Sequence, residues 1–158
     1  MTIWNKIFFM VIFFMKNTII VFEGADKTGK TTLINRFNKQ TNFKYLVLDR
    51  FTISSKVYNE YFSRNREEYY KNIENIFCNS FNVLLIYCYC SESDNKKRLI
   101  DNGEVLPINI KDYKDVNAKF LENIFNSNYK KYLLVDTTLH NVKDCVSKII
   151  SFVEDNDE

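Results

Sequence analysis

The segment Val21-Phe22-Glu23-Gly24-Ala25-Asp26-Lys27-Thr28-Gly29-Lys30-Thr31-Thr32 constrains the fold of this 158-residue chain more than any other. It carries the spacing GxxxxGK[ST] directly after an apolar, strand-like run and directly before a helical pattern, Leu33-Ile34-Asn35-Arg36-Phe37. Strand, glycine loop and helix in that order form the setting in which such a loop wraps phosphate. Glycine permits the unusual dihedrals of the loop, and successive backbone N–H groups then converge on phosphate oxygens at the amino end of the helix. Gly24, Ala25, Asp26, Lys27, Thr28, Gly29, Lys30, Thr31 and Thr32 are therefore expected to cradle nucleotide phosphates. Lys30 bridges the outer phosphates and Thr31 offers its hydroxyl to Mg²⁺. A plain glycine turn with a surface lysine accounts poorly for the Thr-Gly-Lys-Thr-Thr run.

The rest of the chain supplies a frame for that loop. Apolar runs of strand length occur at Thr18–Phe22, Tyr45–Leu48, Val83–Tyr89 and Tyr132–Val135, without strict alternation, as expected for strands covered on both faces. Between them, apolar residues recur at helical steps: Val57, Tyr61 and Phe62; Tyr69, Ile73, Ile76 and Phe77; Tyr113, Val116, Phe120, Ile124 and Phe125; and Leu139, Val142, Cys145, Val146, Ile149 and Ile150. Strands alternating with helices predict a three-layer α/β/α domain around a small, mostly parallel four-stranded sheet.

Composition closes other routes. One histidine leaves no material for a multi-histidine metal site and makes a histidine-based nucleophile system a poor reading. The 22 basic and 20 acidic residues are mixed along the chain, so no basic patch marks a nucleic-acid partner. Cys78, Cys88, Cys90 and Cys145 form no CxxC pair, and Cys88 and Cys90, in an apolar strand-like run, read as small buried hydrophobes of a reducing cytosol. Residues 1–14 hold most of the apolar run Ile7 to Met15, which is too short to span a bilayer and is followed by no cleavage site. They read as an upstream extension with a misassigned start, a membrane-contacting peptide being the less favoured alternative, and the domain proper as residues 15–158.

A second segment follows the second strand: Asp49-Arg50-Phe51-Thr52-Ile53-Ser54-Ser55-Lys56-Val57-Tyr58. At the carboxyl end of a parallel strand, a carboxylate and a guanidinium point into the crevice where ligands bind in open α/β sheets. Arginine suits a bidentate grip on phosphate, and aspartate suits Mg²⁺ or a sugar hydroxyl. By itself the segment also fits a surface Asp-Arg pair ahead of a capped helix.

Together the two segments resemble the thymidylate kinases. The first matches the family's FEGxDxxGKTT loop, and Asp49-Arg50-Phe51 with Ser54, Ser55 and Tyr58 matches its DR[YFH]xxSSxxY segment. Asn82 to Tyr87 with the turn at Ser91, and Val135-Asp136-Thr137 ahead of a terminal helix, resemble less specific parts of the same fold. The resemblance implies a P-loop kinase fold and transfer of the ATP γ-phosphoryl group to a nucleoside monophosphate, dTMP or another deoxynucleotide. It makes Lys30, Lys27, Asp49, Arg50 and Arg98 catalytic, with Asp26, Arg50, Phe51 and Tyr58 on the acceptor. Asp136 and Thr137 fall to adenine, and Thr31 and Asp49 to the metal. A homodimer is allowed, as such kinases often form one.

The chain also departs from that pattern. About 20 residues separate the phosphate loop from Asp49, where the family places a further strand, an REPGG-type segment and helices that wall in the base. The lid is abbreviated to Lys96-Lys97-Arg98 and Asp101 to Pro107, with Arg98 as its candidate cation or, alternatively, all three as the solvated face of a short helix. Arg64 and Arg66 either reach the acceptor or dress the surface. Two other functions stay open: a nucleoside kinase on the same core, and an ATP-binding regulatory module that has lost catalysis with its acceptor wall.

Overall fold

The computed structural model describes residues 17–103 and 113–157. The expected extension, residues 1–14, and the lid positions 104–107 lie outside them. The elements run β1 (Thr18–Glu23), α1 (Lys30–Gln40), β2 (Leu46–Asp49), α2 (Thr52–Tyr61), α3 (Glu67–Ser80), β3 (Asn82–Tyr89), α4 (Glu92–Asp101), α5 (Tyr113–Phe125), β4 (Lys131–Asp136) and α6 (Val142–Asn156). The sheet order is β2-β1-β3-β4, and every neighbouring pair is parallel.

Side chains alternate across the sheet, so each central strand feeds two cores. Ile20 and Phe22 of β1 and Leu84, Ile86 and Cys88 of β3 pack under Leu33 and Phe37 of α1 and Val146 and Ile149 of α6. Ile19 and Val21, with Val83, Leu85 and Tyr87, face Ile53 and Val57 of α2 and Val116, Phe120 and Ile124 of α5. Burial on both sides explains the unbroken apolar runs of β1 and β3. β2 is a short edge strand whose Leu46 is 59% exposed. The chain passes from β1 out to β2 and returns across β1 to β3. The connections therefore diverge at β1 and β3, and the crevice lies at the carboxyl ends of these strands.

Two helix readings shift. In α3 the inward stripe is Tyr70, Ile73, Glu74 and Phe77, whereas Tyr69 is exposed and Ile76 is 67% exposed. A buried glutamate draws the stripe about one residue off the apolar pattern, because its hydrogen-bond partners lie on that face. Leu139 is exposed in the turn before α6, which starts at its Asn141 cap. Among the described residues no helix is long and apolar enough to cross a membrane.

Candidate active site

The loop between β1 and α1 is shaped by its glycines and by clamps on its carbonyls. Gly24 has φ 144°, and a Cβ there would sit 2.3 Å from the Cys88 carbonyl oxygen of β3, so a side chain has no room. Gly29 has φ 84° and caps α1, with its nearest neighbour for a Cβ at 3.7 Å. Lys27 also takes the left-handed region, at φ 62°, which is uncommon for a residue with a side chain. The Thr28 hydroxyl donates to the Ala25 carbonyl at 2.9 Å and Asn95 Nδ2 to the Asp26 carbonyl at 2.8 Å. Arg98 Nη1 donates to the Lys27 carbonyl at 3.1 Å and the Thr137 hydroxyl to the Thr28 carbonyl at 2.8 Å. A trans peptide points its N–H opposite its C=O, so fixing these four carbonyls aims the amides of Asp26 to Gly29 the other way. A cavity of about 530 Å³ lies against the loop and the first turn of α1, bordered also by Arg98, Asn102, Thr137, His140 and Val142.

Two crossed ion pairs tie this loop to the end of β2. Lys30 is buried, with Nζ 3.3 Å from Asp49 Oδ1. Arg50 Nη2 pairs with Asp26 of the loop, and its Nη1 donates to Ser54 Oγ at 3.3 Å. The guanidinium lies 5.3 Å from the centroid of the Tyr58 ring, which packs edge-on against Phe120. Arg50 reaches this place through a left-handed turn, φ 70°, while its N–H donates to the Phe22 carbonyl at 2.8 Å. Burial pulls the Arg50 pKa down, but Tyr58 and the carboxylates of Asp26 and Glu23 outweigh it and hold the guanidinium protonated. Burial likewise pushes the Tyr58 phenol up, against the opposing pull of Arg50, and keeps it neutral.

Glu23, the last residue of β1, sets the start of α2. It is fully buried and accepts from Phe51 N at 2.8 Å, Ile53 N at 3.1 Å, Ser54 N at 3.2 Å and the Ser54 hydroxyl. A carboxylate at a helix amino terminus satisfies the orphan donors and favours the helix dipole. Burial raises its pKa, opposed by Ser54, Phe51 and Arg50. The sequence reading assigned Glu23 no role, and its signal was an acid ending an otherwise apolar strand, where burial demands partners.

The remaining expected residues divide. Thr31 and Thr32 are exposed on the first turn of α1, and both line the cavity. Arg98 was expected as a lid cation and is found on the last turn of α4. There it holds Lys27, the Thr137 hydroxyl at 3.1 Å and the Thr137 carbonyl at 3.2 Å, while Lys96 and Lys97 form the solvated face. Thr137 fastens the loop and lines the cavity, and Asp136 Oδ1 accepts from Thr138 N and Leu139 N, shaping the turn. Phe51 turns its ring onto Phe77 at 4.6 Å, into the α2–α3 packing. Arg64 and Arg66 are exposed, and His140 is half-buried at the cavity with Lys148 Nζ 2.8 Å away. Among the described residues no cluster of three His, Cys, Asp or Glu could hold a metal. Thr31 and Asp49 supply the oxygen donors that Mg²⁺ prefers, and their small number fits an ion that takes its other ligands from phosphate and water.

No protein-family model and no curated protein sequence matches the chain. Solved structures do. The YorR protein of Bacillus subtilis, in complex with phosphorylated GDP, superposes with a TM-score of 0.66 at 19% identity, over 86% of this chain and 95% of that one. Thymidylate kinase from Candida albicans superposes with a TM-score of 0.62 at 12% identity, over 91% of this chain and 95% of its own. At these identities the likeness is one of fold, and the chain has the three-layer α/β/α fold of the P-loop kinases.

Proposed function

We propose that the chain is a nucleotide kinase that moves the γ-phosphoryl group of ATP onto a nucleoside monophosphate, with dTMP or another deoxynucleotide as acceptor. The observation that carries this reading is the pair of crossed ion pairs. A lysine of the phosphate loop and an arginine after β2 meet at one crevice, each resting on a carboxylate of the other segment. Donor phosphates draw Lys30 away from Asp49, and the acceptor phosphate draws Arg50 away from Asp26. The acceptor oxygen then attacks the γ-phosphorus, the bond to the β–γ bridging oxygen breaks, and ADP leaves. The loop amides and Lys30 stabilise charge on the donor, while Lys27 and Arg98 act as cations beside it. Asp49 and Thr31 would hold Mg²⁺, which when bound would supply charge neutralisation for the transferring phosphate. Released from Arg50, Asp26 is free to accept from an acceptor sugar hydroxyl. Thr137 lines the cavity, and with Asp136, which shapes the turn behind it, would meet the adenine in this reading.

Tyr58, whose ring stands against Phe120 and beside Arg50, matches the tyrosine that in the thymidylate-kinase pattern crowds the sugar 2′ position, and in this reading it would favour deoxynucleotides. The two structural neighbours, one holding a guanine nucleotide and one named a thymidylate kinase, are consistent with a nucleotide substrate. Such a reaction would serve deoxynucleotide supply, with the cytoplasm as the compartment this reading assigns. One observation favours the rival regulatory module: α1 leads through a short turn to an exposed edge strand, so no helical wall from that connection covers the acceptor base.

A panel of nucleosides and nucleoside monophosphates, each offered with ATP and Mg²⁺, tests the reading. Monophosphates, deoxy forms first, are expected to be phosphorylated. Turnover of nucleosides alone would move the assignment to a nucleoside kinase, and ATP binding without turnover of anything would support the regulatory module.

A further inference from the structure

Helix α2 carries two stripes with opposite duties. Ser54 and Tyr58, one turn apart, join Arg50 on the side of the crevice. Thr52 and Lys56, also one turn apart, lie roughly 200° away around the helix. These two are fastened to a single carboxylate, Glu74 of α3. Lys56 Nζ is 2.6 Å from Glu74 Oε2, and the Thr52 hydroxyl donates to the same oxygen at 3.1 Å. The other oxygen, Oε1, accepts from Asn128 N at 2.7 Å, and the Tyr129 hydroxyl lies 2.6 Å from Thr52 Oγ1. Lys56 is 6% exposed and Glu74 1%. One buried acid thus joins α2, α3 and the segment that enters β4.

An apolar pair would hold two helices together at lower desolvation cost, so a buried ion pair is weak evidence for stability as such. What it adds is direction. Apolar contact tolerates sliding along the helix axis, whereas hydrogen bonds to a fixed carboxylate are sensitive to angle and distance. Two bonds from α2, one turn apart, converge on Oε2 of a carboxylate whose Oε1 is held by Asn128 N, and together they fix the rotation and the axial position of α2. Glu23 holds the amino end of the same helix from the opposite side.

We propose that Lys56 and Glu74 are positioning residues that set the acceptor-side stripe Arg50, Ser54 and Tyr58. This rests on the acceptor assignment made above and extends it to residues that touch no substrate. Removing the pair leaves α2 packed but free to shift, and small misplacements of positioning groups cost up to ~10²-fold in rate.

The test uses the full chain in four forms: wild type, Lys56→Met/Glu74→Leu, Thr52→Val and Arg50→Ala. For each, KM is measured for ATP and for the monophosphate of highest turnover in the panel, together with thermal stability. The double variant is expected to keep or raise stability, leave the ATP KM within about twofold and raise the acceptor KM about tenfold. Thr52→Val, which removes one bond to Glu74 without stranding a charge, is expected to move the acceptor KM in the same direction by a smaller factor, and it decides the question if the double variant does not fold. An acceptor KM within twofold of wild type in the folded variant, with Arg50→Ala raising it, would overturn the positioning role alone. An acceptor KM unmoved by Arg50→Ala would overturn the acceptor assignment beneath it.

Discussion

The two glycines of the phosphate loop share one motif and answer to different forces. Gly24 is required by space on top of conformation: its φ is 144°, and a Cβ there would also meet the Cys88 carbonyl of the β3 backbone. Gly29 is required by conformation, since φ 84° is open to glycine while its surroundings would admit a methyl. Gly24→Ala is therefore expected to cost more than about 2 kcal/mol and to lose ATP binding, and Gly29→Ala about 1–2 kcal/mol. Thermal unfolding of both variants checks the order. At Lys30 the expectation is chemical: Lys30→Ala should reduce kcat about 10³-fold or more with little loss of stability, since the pair with half-exposed Asp49 adds little. Much of this scale was legible in the sequence because a phosphate loop works through residue type at fixed spacing. Glu23 escaped because its role depends on where Phe51, Ile53 and Ser54 place their N–H groups. Phe51 matched its motif, yet its ring went to Phe77, a choice made by packing that spacing does not encode.

Helices α3 and α4 mark the scale at which pattern reading slips. Periodicity places Tyr69, Ile73, Ile76 and Phe77 on one face of α3, but the face turned inward centres on Glu74, which a hydropathy pattern scores as solvent-facing. Replacing Lys56 alone by Ala would leave that acid buried without its partner, with an expected cost of about 3–5 kcal/mol by chemical denaturation. The apolar double replacement should be close to neutral, and an equal loss in both would contradict the reading of the pair. In α4 a run of three cations divides by geometry: Lys96 and Lys97 face solvent, and Arg98 lies under the phosphate loop with Thr137. Arg98→Met, which frees the Lys27 and Thr137 carbonyls, is expected to raise the ATP KM about tenfold while the acceptor KM moves less than twofold. Parallel shifts of both would deny the clamp its specificity for the donor side.

For the whole molecule, alternation of strands and helices predicted the layers, and the sheet follows it with every neighbour parallel. Strand ends moved by only a residue or so, because β1 and β3 are buried on both faces and their apolar runs end where the cores end. Less legible was how the molecule closes around a substrate. The short passage from α1 to β2 is visible as a spacing, yet only the fold shows that it leaves β2 as an exposed edge strand leading into Arg50 at the crevice. That open side predicts tolerance: replacing Tyr58 by a smaller residue should raise kcat/KM for ribonucleotides relative to their deoxy counterparts by about tenfold, and an unchanged ratio would remove Tyr58 from the acceptor site. The central claim is that one crevice holds a donor phosphate chain at Lys30 and an acceptor phosphate at Arg50. Its most direct measurement is the fate of the label when ATP carrying a labelled γ-phosphate is mixed with Mg²⁺, dTMP or another deoxynucleoside monophosphate, and the wild-type chain or Lys30→Ala. Label appearing as the β-phosphate of the deoxynucleoside diphosphate with the wild type, and not with Lys30→Ala, is the predicted result; ATP bound by the wild type with no label passing to any monophosphate would contradict it.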